Sequence, residues 1–212
     1  MINAAIERYY QNNLSAHGAS AEGVGWKNAE AQRVRFEQLL KVVYTEGLFT
    51  INDVGCGVGD LSGFLAEKKY QFGYKGYDVL VSMISEARNK YAENTASQFF
   101  QVNDLAQMQP ADYSVASGIF NLKFEVTEAN WKQYMLKTLD VMNEKSKFGF
   151  SFNALTSYSD VAFMKAELYY SNPGWLFDYC KTRFAKNVAL LHDYSQYDFT
   201  ILVKKKIGRA HV

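Results

Sequence analysis

From about residue 49 to residue 203, short apolar runs of strand length alternate with segments of helical periodicity. This alternation is typical of an α/β sheet, because helices that join the strands pack back onto the sheet. The pattern predicts seven strands, at residues 49–54, 73–78, 99–102, 113–117, 148–153, 188–191 and 197–203.

Three segments show one apolar face at helical spacing. Between the second and third strands, apolar side chains recur at positions 80, 83, 84, 87 and 91. A second helix is predicted from about 128 to 142 with Thr127 as its N-cap, and a third precedes the first strand. We expect all three helices to pack on the sheet.

Residues 192–196 join the last two predicted strands and are too few for the crossover that a parallel pair needs. The chain is therefore predicted to form a mostly parallel sheet with a C-terminal antiparallel hairpin and helices on both faces. We expect one domain over residues 1–206, with a helical lid over 1–45 and the sheet core over 46–206.

The last six residues, 207–212, follow a run of three lysines and look foreign to this pattern. Their back-translation resembles a common sequencing adapter, so we interpret them as a non-native tail. This interpretation removes His211 from the candidate catalytic residues.

Composition narrows the possible partners. Lys and Arg number 23 against 22 Asp and Glu, and a formal charge of +1 gives no general attraction to nucleic acid or anionic lipid. The polar N-terminus and the lack of a long apolar stretch predict a cytoplasmic protein without a membrane partner, as a monomer or homodimer. Cys56 and Cys180 lack the spacing of a metal site, so we expect reduced thiols and no metal.

The strongest sign of a binding site follows the first strand, where Gly55, Gly57 and Gly59 alternate with other residues and Cys56 lies among them. Alternating glycines let the backbone turn sharply and approach a ligand, and the first turn of the next helix offers free N–H groups. The pattern indicates a nucleotide-like ligand, and a tight turn without a ligand is the alternative.

Acidic residues around this loop narrow the choice of ligand. Asp60 stands where a dinucleotide fingerprint requires glycine, which disfavours NAD, although it could also stabilise the helix N-terminus. Asp53 adds a second negative charge, which suits a ligand that carries an ammonium and a sulfonium, as S-adenosylmethionine does. Asp78 ends the second strand 19 residues after Gly59, where it can accept hydrogen bonds from ribose hydroxyls.

Residues 49 to about 120 resemble the class I S-adenosylmethionine-dependent methyltransferases, whose Rossmann-like topology also ends in a hairpin. The resemblance implies that Asp53 lies near the methionyl end of the donor and Asp78 at its ribose. It places Val79 beside the adenine, and Asp104, with Leu105, near the adenine amino group. Capping of its own loop is an equal alternative for Asp104.

The segment from Tyr9 to Trp26 interleaves aromatic residues with glycines and is predicted to form a lid. We predict that Arg35 on the next helix binds the donor's carboxylate, with Trp26 near the donor, and a surface salt bridge is the alternative for Arg35. The pattern resembles uncharacterised bacterial members of the family, and this resemblance supplies no substrate. His17 in the lid is a candidate general base.

Other candidates follow the fourth and fifth strands. Gly118 allows close approach of the backbone, and Asn121 could contact the donor or acceptor, although a turn at the strand end explains both. His192 is a second candidate base and Tyr158 a candidate for positioning the acceptor. A structural or surface role is the alternative for each.

The sequence therefore predicts an enzyme that transfers a methyl group from S-adenosylmethionine to an oxygen or nitrogen of a small molecule, with S-adenosylhomocysteine as product. A high aromatic content of 16% and the scarcity of basic clusters favour a small acceptor over nucleic acid. An NAD(P)-dependent oxidoreductase and a non-catalytic S-adenosylmethionine-binding protein are the alternatives.

Overall fold

A computed structural model describes residues 4–26 and 28–205. The predicted tail at 207–212, including His211, lies outside the described residues.

All seven predicted strands are present, and their ends lie within two residues of the predicted positions. The strands are β1 Phe49–Val54, β2 Phe72–Asp78, β3 Ser97–Gln101, β4 Ala111–Ala116, β5 Ser146–Leu155, β6 Asn187–Leu191 and β7 Asp198–Lys204. They form one sheet in the order β3-β2-β1-β4-β5-β7-β6. The first five strands are parallel, and β7 runs antiparallel to both β5 and β6. The predicted terminal hairpin is thus confirmed, with the last strand inserted inside the sheet rather than at its edge.

Six α-helices surround the sheet in the described residues: α1 Ala4–His17, α2 Ala29–Leu40, α3 Asp60–Glu67, α4 Val81–Lys90, α5 Glu128–Lys145 and α6 Pro173–Arg183. The helices predicted before β1, after β2 and before β5 are confirmed, and Thr127 caps α5 by accepting from the Asn130 N–H. The apolar pattern did not predict α6. Two residues define the start of α6. The Asn172 Oδ1 accepts from the Trp175 N–H at 2.9 Å as the N-cap, and Pro173 occupies the first turn.

The strands bury both of their faces. Helices α2, α3 and α4 pack on one face, against β1 side chains such as Ile51, and α5 and α6 pack on the other, against β5 side chains such as Phe152. Strand order reverses between β1 and β4, and a ligand crevice in such a sheet lies outside the carboxyl ends of the strands at that reversal. The glycines that follow β1 lie at this point.

Candidate active site

A cavity of about 620 Å³ lies at the carboxyl ends of β1, β2 and β4. Its volume falls within the range of small-molecule sites. Helix α1 and the turn that follows it contribute to its wall together with the sheet, so the predicted lid does border the site. Aromatic side chains contribute much of its surface: Tyr9, Tyr10, Trp26, Phe36, Tyr77, Trp131 and Tyr134.

The glycine loop forms the floor of the cavity. Gly55 has a φ of 71°, and a Cβ added there would lie 2.2 Å from the Ile119 Cγ2, so the loop requires glycine for both conformation and space. The N–H groups of Gly55 and Cys56 donate to the Tyr77 carbonyl at 2.8 and 3.1 Å, which holds the loop against β2. Burial raises the pKa of the Cys56 thiol well above its usual range, so this cysteine is a packing residue with little thiolate character.

Asp78 joins the glycine loop to the end of β2. One of its carboxylate oxygens accepts from the Gly57 N–H at 3.0 Å and the other from the Leu80 N–H at 2.9 Å. Burial raises the pKa of this carboxyl, and the two N–H donors oppose the rise. Asp78 and the adjacent Val79 both border the cavity, so the carboxylate is positioned before any ligand arrives.

Asp53 is a second, more deeply buried carboxyl at the cavity. Its Oδ2 accepts from the Tyr74 hydroxyl at 2.7 Å. Burial raises the pKa of Asp53 to about 7, the Tyr74 hydroxyl opposes the rise, and the charges of Asp78 and Asp60 add to it. A cationic group bound here would lower that pKa again.

Asp60 links three helices at the rim of the cavity. It accepts from Gln32 Nε2 of α2 at 2.9 Å and from Lys90 Nζ of α4 at 2.5 Å. Its carboxylate also stands in the first turn of α3, where a negative charge is favourable.

Arg35 lies along the cavity and forms an ion pair with Asp198 at the start of β7. Both side chains are buried, at 9% and 0% exposure, so the pair is not the surface salt bridge considered as the alternative. The guanidinium lies 4.4 Å from the Trp26 ring, and a Cβ added to Gly118 would meet that indole at 2.6 Å. Arg35 thus holds the lid tryptophan against the end of β4, and binding of a donor carboxylate by Arg35 stays a prediction.

Ten of the twelve predicted cofactor-binding residues border the cavity, and two do not. Gly59 is the N-cap of α3, with a φ of 82°, and serves the turn. Asp104 is exposed and accepts from the Ala106 N–H at 2.9 Å, which is the capping role given as its alternative, while its neighbour Leu105 does reach the cavity.

The three predicted catalytic residues lie away from the cavity. His17 ends α1 as an exposed side chain. Tyr158 is 76% exposed, and its ring centroid lies 6.0 Å from that of His192, which is also exposed. The turn after β5 and the β6–β7 hairpin carry Tyr158 and His192 outward, and His17 lies at the end of α1, so none of the three borders the cavity.

Several polar or aromatic residues of the cavity were not predicted as site residues, among them Tyr10, Asn130 and Tyr134. Trp131, also on α5, packs on Tyr134 at 5.1 Å between ring centroids. The signal that could have revealed this wall is a pair of large aromatic residues one turn apart at the start of a helix that follows a strand end.

Comparison with known proteins agrees with this geometry. Residues 51–145 match the family described as "Methyltransferase domain". The Mycobacterium tuberculosis protein "Putative methyltransferase Rv1506c" is 43% identical over 166 residues, which span 78% of this chain and 99% of that protein. The chain therefore belongs to the methyltransferase family.

Solved structures agree on the fold. Magnesium protoporphyrin IX methyltransferase from Synechocystis PCC 6803 with bound S-adenosylhomocysteine has a TM-score of 0.65 at 16% identity, covering 96% of this chain and 100% of that one. N-methyltransferase NodS from Bradyrhizobium japonicum WM9, in complex with the same product, has a TM-score of 0.64 at 13% identity, covering 94% and 97%. The fold is that of the class I S-adenosylmethionine-dependent methyltransferases.

Within residues 4–26 and 28–205, none of the helices combines the length and the apolar character that a membrane span requires. In the same residues, no group of three or more His, Cys, Asp or Glu side chains is placed to hold a metal ion.

Proposed function

We propose that the protein transfers a methyl group from S-adenosylmethionine to an oxygen or nitrogen atom of a small-molecule acceptor. The observation that supports this most directly is the placement of Asp53 and Asp78 on either side of a glycine loop at the reversal of strand order. A sulfonium donor with an ammonium group carries positive charge, and two buried carboxylates complement it.

The residues present fit such a donor. Gly55 and Gly57 have positive φ, which favours glycine, and both border the cavity, so a nucleoside can lie against loop backbone that carries no side chain. Asp78 is held where it can accept from ribose hydroxyls, and the Ser117 hydroxyl is a buried polar atom without a partner among the described residues at the same cavity. An unpartnered buried hydroxyl is costly, and a polar group of the donor would satisfy it.

The bound donor would supply an electrophilic methyl group on a positively charged sulfur. In the transfer, the S–CH₃ bond breaks as the bond from the acceptor atom to the methyl carbon forms, and the acceptor releases a proton to solvent. The protein's part is to hold both reactants in line and to exclude water. The aromatic wall from α1 and α5 and the lid residue Trp26 are placed for that task.

The proposal is tested first by binding of the donor's product and then by methyl transfer. Calorimetric titration with S-adenosylhomocysteine and with NAD is expected to give saturable binding of the first and none of the second. Incubation with isotopically labelled donor and a metabolite extract is then expected to yield a labelled small molecule, identified by mass spectrometry. Binding without any labelled product would instead favour a non-catalytic donor-binding protein.

The pH dependence of donor binding is a separate prediction. In the ligand-free protein the Asp53 carboxyl has a pKa of about 7, so it is mostly protonated at pH 6 and mostly ionised at pH 8. The donor's ammonium pairs with the ionised form, so affinity is expected to rise about tenfold from pH 6 to pH 8. Calorimetry of S-adenosylhomocysteine binding across that range measures the slope.

The matched control is Asp53→Asn, which keeps the shape and can still accept from Tyr74 but cannot ionise. This variant is expected to bind more weakly at pH 8 and to show a flat profile. A slope that survives in Asp53→Asn would therefore contradict the assignment to Asp53.

A further inference from the structure

The cavity has a charged end and an uncharged end. Its ionisable acidic and basic side chains are Arg35, Asp53, Asp60 and Asp78. Arg35 lies on α2, Asp53 and Asp78 lie at the ends of β1 and β2, and Asp60 lies in the first turn of α3, all on the side proposed for the donor. The opposite end is bordered by neutral side chains, among them Tyr10, Asn121, Trp131 and Tyr134.

The two ends meet at Tyr10. Tyr10 packs against the cluster of Val58, Leu80 and Met83 on the donor side and also against the core cluster that contains Trp131. Tyr10 therefore lies between the donor side and the far aromatic wall. At the uncharged end of the cavity, a charged acceptor would have no side chain of opposite charge beside it, and burying an unpaired charge is costly.

The large aromatic side chains at the uncharged end add ring surface and no charge. The Trp131 Nε1–H donates to the Phe120 carbonyl at 3.1 Å, and burial raises the pKa of the Tyr134 phenol, which keeps that phenol neutral. These side chains thus present mainly apolar surface to an acceptor.

Asn121 is the polar side chain whose orientation is fixed there. Its Oδ1 accepts from the Leu155 N–H at 3.1 Å, and its backbone carbonyl accepts from the Tyr169 N–H at 2.8 Å. Because the Leu155 N–H can bond only to the amide oxygen, the other end of the amide is Nδ2. This group has no hydrogen bond to a described residue and is free to donate. Asn121 can therefore donate to a ligand through Nδ2.

We propose that the acceptor is an uncharged, largely apolar molecule with an oxygen atom that accepts a hydrogen bond from Asn121 Nδ2. This proposal rests on the methyltransferase function proposed above and specifies its acceptor. The Asn121 Nδ2 group can only donate, and a protonated amine has no lone pair to accept that hydrogen bond. Asn121 is thus a positioning residue for an acceptor oxygen rather than for a protonated amine.

The test uses three probes of the same ring system with the protein saturated in S-adenosylhomocysteine: naphthalene, 1-acetylnaphthalene and 1-naphthylmethylammonium. Ligand-observed NMR gives their dissociation constants. We expect the ketone to bind about fivefold more tightly than naphthalene, the scale of one hydrogen bond, and the ammonium at least about tenfold more weakly than the ketone. Equal binding of ketone and naphthalene, tightest binding of the ammonium, or no binding of any probe would overturn the proposal.

The decisive variant is Asn121→Asp. It keeps the oxygen that accepts from Leu155 and replaces the donating amide group with an accepting oxygen, so the ketone preference should vanish and the ammonium should bind more tightly than the ketone. Asn130→Asp adds the same charge to the cavity and leaves Asn121 intact, so it should retain the ketone preference. A ketone preference that persists in Asn121→Asp refutes the assignment.

Titration of the wild-type protein with S-adenosylhomocysteine distinguishes failure of this proposal from failure of the methyltransferase function. Loss of S-adenosylhomocysteine binding in the wild-type protein would remove the methyltransferase function itself. Normal product binding with the wrong order of probes would remove only the acceptor class. If Asn121→Asp does not fold by thermal melting, the probe order in the wild-type protein still decides.

Discussion

Replacing Asp78 with alanine is expected to weaken S-adenosylhomocysteine binding by about 1–3 kcal/mol, or about 5- to 150-fold in Kd. The carboxylate is proposed to accept from the ribose hydroxyls, and it also holds the Gly57 and Leu80 N–H groups. Its removal takes away direct contacts to the ligand and loosens the loop on which the ligand lies. Calorimetric titration measures the change.

Asp112→Ala is the matched control for this variant. Asp112 also accepts two hydrogen bonds, from the Thr50 N–H and hydroxyl at 2.8 Å each, but it lies at the start of β4 and away from the cavity. We expect it to lose stability without losing product affinity. Unchanged affinity in Asp78→Ala would remove Asp78 from the binding site.

The largest effect on stability is expected at Arg35. Arg35→Met should lower the free energy of unfolding by about 3–5 kcal/mol, because it leaves Asp198 buried and without its cation. Arg33→Met on the same helix is the control. Arg33 pairs with Glu67 at 2.6 Å, but the two side chains are 36% and 57% exposed, and such pairs contribute about 0–1 kcal/mol. Denaturant unfolding of both variants gives the comparison.

The double variant Arg35→Met with Asp198→Leu tests the cause. If the loss comes from an unpaired buried carboxylate, removing that carboxylate should recover a large part of the stability. The recovery should be absent if Arg35 acts mainly by packing against Trp26. Equal losses in Arg33→Met and Arg35→Met would contradict the importance of burial.

The strands and the donor side of the site could be predicted because their signals are local. An apolar run such as Phe49–Val54 is typical of a buried strand. Alternating glycines followed by a helix are compatible with few structures other than a tight turn that can bind a ligand. Asp78 could be found by its distance along the chain from the loop. These features depend on a few neighbouring residues, which a sequence displays directly.

The acceptor side could not be predicted in the same way. Asn121 acquires its orientation from the Leu155 N–H, 34 positions along the chain. His17, His192 and Tyr158 were chosen for their chemistry, but whether such groups face a cavity depends on the direction in which a loop leaves the sheet. Asp104 was correctly identified as following β3, yet its carboxylate points to its own backbone.

The insertion of β7 between β5 and β6 has a consequence for synthesis on the ribosome. Arg35 is translated first, and the carboxylate of Asp198 that neutralises it follows 163 positions later. Asp198 belongs to β7, the strand that joins β5 to β6 in the sheet. A nascent polypeptide therefore carries an uncompensated guanidinium and two unpaired strand edges until β7 has been translated. Premature termination before Asp198 yields a product that cannot close its sheet, which makes it a natural target for proteolytic quality control.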